Sequence, residues 1–373
     1  MLMDVDQLAP PELIQSSSQL DQLVDELKRQ PRIAVDTESN SLHAYRERVC
    51  LIQFSTPETD YLVDPLALDE LDVLGPIFAD PKIEKIFHAA EYDLICLRRD
   101  YGFKLSNLFD TMQAGRILGR KQAGLDRLIE EKFNIKVNKR FQKADWGARP
   151  LSPDLMLYAR LDTHFLILLR DLLKTELEEK GFWPLAQEDF WMACHANGAK
   201  PKSESPTWTR FSNRKDLTLR DLTILNELLI LREQLAARLD RPPFKVLEDD
   251  RLVEIAKTKP ATINELEFEL TSKQIQNWGT LILEAIQRGT DNLLVNRIPL
   301  EHPNEAFAKR LEKLKKWRKK IAAEMDVESD VVLPKSLLTA LAERGPQDVE
   351  RVMECSPWRR EHFGAQIVAV LGG

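Results

Sequence analysis

Residues 32–40 read RIAVDTESN, and the fold turns on how this stretch is understood. Ile33, Ala34 and Val35 form a short apolar run with the composition of a buried strand. The run ends in two carboxylates, Asp36 and Glu38, separated by one residue. Alternate residues of an extended segment point to the same face, so both can aim at one point. Two anions held together at the end of a buried strand repel each other and lose hydration. A divalent cation relieves both costs. An ordinary turn after a strand accounts for the pair equally well, and carboxylates further along have to decide.

The chain has 373 residues, enough for two or three domains, with 43% apolar and 30% charged residues, as in a globular protein. The four cysteines lie far apart without a C-x-x-C pair, which argues against a zinc site or a disulfide framework. The first thirty residues carry charges throughout and contain no apolar signal core. No apolar run approaches the ~18 residues that would span a bilayer. These features lead us to expect a cytoplasmic protein without a membrane partner. The net charge of −7 disguises a local excess, since residues 309–320, KRLEKLKKWRKK, hold eight Lys and Arg against one Glu. Such patches matter more for phosphate binding than the total does.

Working outward, residues 18–30 read as an amphipathic helix capped by Ser18, with Leu20, Leu23 and Leu27 on one face. Residues 49–54, 61–63, 83–87 and 108–110 read as further strands, with a helix expected at 68–78. Helical patterns run from 111 to about 190. The order predicts a mixed α/β sheet with helices on both faces. Residues 196–211, rich in Pro, Ser and Lys, read as a linker. Beyond them the chain is all-helical and repeats itself. At a constant offset of 86 residues, Arg232 matches Arg318, Ala236 matches Ala322, Asp240 matches Asp326 and Leu252 matches Leu338, among nine coincidences. The expected organisation is an α/β domain at 1–195, a linker at 196–213, and two small helical domains at 214–292 and 302–371.

Later carboxylates bear on the opening pair. Asp93 follows the strand at 83–87 and opens a helical pattern, a place where Asp is common for dipole reasons alone. Asp110 likewise ends a strand and enters a helix. Ser152 and Pro153 supply an N-cap and a first-turn proline. The helix they start, expected to run through Leu169, carries Tyr158 and Asp162 one turn apart on the same face.

The set Asp36-x-Glu38, Asp93 and Tyr158-x-x-x-Asp162 lies within the phrases IAVDTESNS, VCLIQFST, FHAAEYDL, FDTMQAGRILG and ADWGARPLSPDLMLYARLD. It resembles the three exonuclease motifs of the DEDD superfamily of 3′→5′ exonucleases, in the subclass with a tyrosine in the third motif, and in particular the bacterial ribonuclease D family. The helical repeats resemble the HRDC domains that follow the nuclease there. The likeness spans nearly the whole chain in the expected order and lacks no acidic position.

The resemblance implies an RNase H-like sheet and a 3′→5′ exoribonuclease that releases nucleoside 5′-monophosphates from the 3′ ends of tRNA precursors and other stable RNAs. It implies two divalent metal ions, Mg²⁺ or Mn²⁺, held by Asp36, Glu38, Asp93 and Asp162, with Asp36 between them. Such a pair activates the attacking water and stabilises the leaving oxygen. Tyr158 would orient the water, since a phenol with a pKa near ~10 is a poor base at neutral pH. His88 and Glu91 are expected to serve only as hydrogen-bonding partners. A deoxyribonuclease and a non-catalytic RNA scaffold are the competing readings.

Two stretches suit a single-stranded RNA 3′ end. Residues 133–150 interleave Lys136, Lys139, Arg140, Lys143 and Arg149 with Phe141 and Trp146, a mixture fit for backbone contact and base stacking. Trp146 itself reads as core. The second repeat displays Lys315, Lys316, Lys319 and Lys320 on a basic helix face suited to phosphates. No heptad seam is present, so a monomer is expected.

Overall fold

A computed structural model describes residues 8–137, 140–195, 207–296 and 304–372. Lys139 and residues 196–206 of the expected linker lie outside the described residues. The chain divides into two compact units, one made of residues 1–39, 49–198 and 303–373, the other of residues 40–48 and 199–302.

The first unit is built on a six-stranded mixed sheet. Its strands are β1 (Glu12–Ile14), β2 (Arg32–Ser39), β3 (Val49–Ser55), β4 (Asp60–Val63), β5 (Glu84–Phe87) and β6 (Leu108–Asp110), in the order β1-β4-β3-β2-β5-β6. The opening stretch is thus an inner strand, antiparallel to β3 on one side and parallel to β5 on the other. Ile33, Ala34 and Val35 are completely buried, which is why the strand reads as a continuous apolar run. β1, a three-residue strand, extends the sheet beyond what the sequence pattern indicates.

Eight helices flank the sheet: α1 (Ser17–Arg29), α2 (Gly75–Ala79), α3 (Glu91–Tyr101), α4 (Thr111–Ile117), α5 (Leu125–Phe133), α6 (Pro153–His164), α7 (Leu166–Glu179) and α8 (Trp183–His195). α1 begins before Ser18, because Ser16 and Gln19 form a reciprocal capping box. The helix expected at 68–78 is reduced to a 3-10 turn at Asp72–Leu74 followed by the short α2. Pro76 cannot donate within a continuing helix, so it stands in the first turn of a new one. The helix that Ser152 caps ends at His164 instead of passing through Leu169. There the backbone bends at Phe165, whose side chain is buried, and α7 starts afresh.

The second unit holds the first helical repeat, α9 (Leu219–Leu239), α10 (Pro243–Val246), α11 (Asp249–Thr258) and α12 (Ser272–Asp291), around its own apolar core. The second repeat comprises α13 (Glu305–Met325), α14 (Ser329–Val332), α15 (Lys335–Arg344), α16 (Val349–Val352) and α17 (Pro357–Gly372). It has its own core and belongs to the first unit, joined to α8 by a fully buried Arg359 that pairs with Glu188 and Asp189.

Candidate active site

Asp36 and Glu38 leave the same face of β2, and the strand's bulge falls just after Glu38. α6 packs across β2, β3 and β4. It is started by the Ser152 side chain, which accepts from the Leu155 N–H, and by Pro153 in its first turn. On its inner side the Ser55 hydroxyl stands 2.7 Å from the Thr163 hydroxyl and 2.6 Å from the Asp60 carboxylate. His164 reaches the same Asp60 at 2.8 Å. This lacing fixes the rotation of α6. Asp162 consequently joins the strand pair, with oxygens of Asp36, Glu38 and Asp162 all within 4.8 Å of one another.

Asp93 arrives from the first turn of α3 and is buried. Its Oδ1 accepts from the Thr37 N–H at 3.1 Å and from the Thr37 hydroxyl at 2.5 Å. Thr37 is the residue between Asp36 and Glu38, so one strand end presents two carboxylates and holds a third. The spacing of the motif does not suggest this role, because an i+1 side chain is expected on the opposite face.

The charge state follows from crowding. Asp36 is pushed well above the usual carboxylate range by desolvation and then by repulsion from Asp93, Asp162 and Glu38. Glu38 is raised in the same way, by desolvation, Asp162 and Asp93. Desolvation carries Asp162 to about 7, with Asp93 adding to it. Asp93 is also lifted to about 7 by burial, against the two Thr37 hydrogen bonds that favour its anion. These groups retain a little solvent contact at the surface, yet protein atoms surround them closely enough for desolvation to dominate.

Tyr158 lies among the side chains of Trp146 and Phe141, at ring separations of 6.1 Å and 5.9 Å. Burial, then the charges of Asp162, Glu38 and Asp36, push its phenol above the ordinary value. The hydroxyl therefore keeps its proton at neutral pH. Gln53 pairs with Asp36 across the β2–β3 ladder and is fully buried, and its carboxamide atoms have no protein partner. Crowded carboxylates with raised proton affinity, beside an unsatisfied amide, are a donor set that fits a hard divalent cation.

Residues 11–178 match the 3′-5′ exonuclease family, and residues 221–286 and 307–371 each match the HRDC domain. This is a DEDD-type 3′-5′ exonuclease domain followed by two HRDC domains. The exonuclease region is 43% identical over 169 residues to the exosome complex exonuclease RRP6 of Saccharomyces cerevisiae, covering 45% of this chain and 23% of that protein. Protein RRP6-like 1 of Arabidopsis thaliana is 31% identical over 346 residues, covering 86% of this chain and 51% of the relative. The chain thus spans about half, or less, of the length of these relatives. Among solved structures, Escherichia coli RNase D, described as an exoribonuclease involved in structured RNA processing, shares the fold. Its TM-score is 0.72 at 22% identity, over 98% of this chain and 99% of that one. The catalytic core of RRP6 from Trypanosoma brucei gives 0.68 at 27% identity, over 77% and 81%.

The basic residues expected to hold RNA divide. Within the exonuclease domain, Trp146 is core, as its sequence context indicates. Arg149 is a correction. Its guanidinium donates to both oxygens of Asp64 and to the carbonyls of Cys50, Trp146 and Ala148, so it clasps the segment to β3 and β4. A guanidinium committed to five acceptors has no donor to spare for phosphate. Lys143 is exposed. In the second HRDC domain Lys315, Lys316, Lys319 and Lys320 are all exposed on α13, with Lys316 and Lys320 paired to Glu312 and Glu324 along the helix.

Proposed function

We propose that this protein is a 3′→5′ exoribonuclease that trims stable RNA precursors, chiefly tRNA 3′ ends, one nucleoside 5′-monophosphate at a time. The observation that carries the reading is the convergence of Asp36, Glu38 and Asp162 within 4.8 Å in a domain of the 3′-5′ exonuclease family. Asp36, Glu38, Asp93 and Asp162 would hold two divalent ions, Mg²⁺ or Mn²⁺. When bound, these supply an activated water and charge neutralisation at the leaving 3′ oxygen. Thr37 holds one oxygen of Asp93 and leaves the other for the cluster. The Tyr158 hydroxyl, protonated under all ordinary conditions, orients the attacking water by donating to it and does not take its proton.

On this reading the exonuclease domain occupies 1–195, a linker 196–213, and the HRDC domains 214–292 and 302–371. The exposed lysines of α13, with Lys143, contact RNA phosphates. We place the protein in the cytoplasm as a monomer. In support of that compartment, none of its four cysteines is joined in a disulfide.

The test is a 5′-labelled RNA with a tRNA-like stem and a single-stranded 3′ tail, incubated with Mg²⁺, Mn²⁺ or EDTA. A ladder shortening from the 3′ end only with metal is expected. Degradation of a DNA oligomer in preference to the RNA of the same sequence would make it a deoxyribonuclease. An intact band that shifts on a native gel would make it a scaffold.

A further inference from the structure

We propose that Asp110 is a positioning residue for the reaction, its carboxylate fixing the backbone turn that delivers Asp93 to the acidic cluster. The role rests on the two-metal reading above. In the sequence Asp110 looks like an ordinary strand end before a helix. In the structure it is buried and serves two helices at once. Its Oδ1 accepts from the N–H groups of Met112 and Gln113 at 2.8 Å and 3.1 Å, the N-cap of α4. The same oxygen accepts from the Ala89 N–H at 3.1 Å, and Oδ2 accepts from the Ala90 N–H at 2.9 Å.

Ala89 and Ala90 form the turn between β5 and α3. No side chain of that turn caps α3, so Asp110 supplies the acceptor at the helix entrance. The turn needs holding, because Ala89 has a φ of 61°, a region that L-residues with a Cβ avoid. A second tie reinforces the first. The Thr111 hydroxyl lies 3.1 Å from the Phe87 carbonyl and 2.9 Å from His88 Nδ1, so both neighbours of the turn are bound to the start of α4. Asp93 sits three residues beyond Ala90, in the first turn of α3. Its position is therefore set at one end by Asp110 through the backbone and at the other by Thr37 through its carboxylate.

A helix cap that matters only for stability and one that positions a ligand differ in what they change. Asp110→Asn keeps an oxygen for Ala89, Met112 and Gln113 but sets an N–H₂ against the Ala90 N–H. Asp110→Ser keeps a cap on α4 and is too short to reach the turn. Ser16→Ala, which removes the α1 cap of the same unit, is the control for lost stability alone. Mn²⁺ binding to the full chain is measured by calorimetry beside urea unfolding. Both Asp110 variants should bind Mn²⁺ about 10–100-fold more weakly, the range for residues that orient metal ligands. Ser16→Ala should bind it normally. With a labelled RNA, kcat should fall while KM stays within about twofold. Folded Asp110 variants that bind Mn²⁺ as the wild type does overturn this role alone. A wild-type chain that binds no Mn²⁺ overturns the metal reading and this role together.

Discussion

At the scale of single residues, the decisive fact is that Asp36, Glu38, Asp93 and Asp162 are desolvated and crowded enough to raise their proton affinity. Asp36→Asn or Asp162→Asn should lower turnover by at least two orders of magnitude and leave RNA affinity largely intact, because on the two-metal reading these carboxylates hold the ions and not the RNA. Single-turnover rates beside filter-binding constants check this, and near-normal turnover in either variant would remove the metal assignment. Tyr158→Phe should fold normally and turn over more slowly, since the phenol is asked to orient a water. An unchanged rate would leave it a packing role against Trp146 and Phe141.

The same crowding predicts a pH dependence. Asp93 and Asp162 rise from an ordinary value of 3.8 to about 7 in the folded metal-free protein. Between those limits the folded state binds protons that the unfolded chain has released, so stability declines as pH rises. The contribution is complete below about pH 4 and is lost through pH 7. In EDTA the melting temperature should therefore fall from pH 5 to pH 8, and Mg²⁺ should raise it more at pH 8 than at pH 5. An equal Mg²⁺ effect at both values would contradict the crowded-acid account.

At the scale of elements, the duplicated domains show how one helix start can be solved twice. In the first copy α12 is capped from within, by Thr271 and Gln274 in a capping box, and Gln274 also reaches the Val246 carbonyl. In the second copy the corresponding helix, α17, takes its cap from another element. Glu188 of α8 accepts from the Ser356 hydroxyl and from the N–H groups of Trp358 and Arg359. Arg359, in the first turn of α17, reaches the carbonyl of Val332, the partner of Val246 in the repeat, as Gln274 reaches that of Val246 from the first turn of α12. Its guanidinium is then matched to Glu188 and Asp189 with no exposed surface. Removing one member of such a buried pair strands the other, at a cost of about 3–5 kcal/mol. Glu188→Gln should thus destabilise the first unit several-fold more than Thr271→Ala destabilises the second, where a lost cap costs about 1 kcal/mol. Urea unfolding of each full-length variant reads the difference, and equal small losses would show that α17 does not depend on α8.

At the scale of the whole molecule, a negative total charge coexists with a basic helix that the fold leaves outside. α13 buries Leu314, Trp317 and Ile321 and exposes its lysines. Changing Lys315, Lys316, Lys319 and Lys320 to Glu should weaken RNA binding and flatten the slope of log K against log salt, since each phosphate contact releases counterions. An unchanged slope would mean that α13 serves only to keep the protein dissolved.

The sequence by itself determined the acids and most of the elements, though not β1, the split at 68–78 or the break at Phe165. An apolar run ending in Asp36-x-Glu38 can hardly be anything but a buried strand with a charged end, and Ser152-Pro153 marks a helix start, because both signals are local. The repeat was legible because two copies of one core must keep the same apolar positions. Tertiary structure alone decided that Thr37 grips Asp93, that Asp110 serves two helices, and that Arg149 is committed to Asp64. It also decided that the second HRDC domain shares a unit with the exonuclease domain while the first does not. Each of these depends on which donor meets which acceptor across many residues of chain, and hydrogen bonds carry no periodicity that a sequence could display.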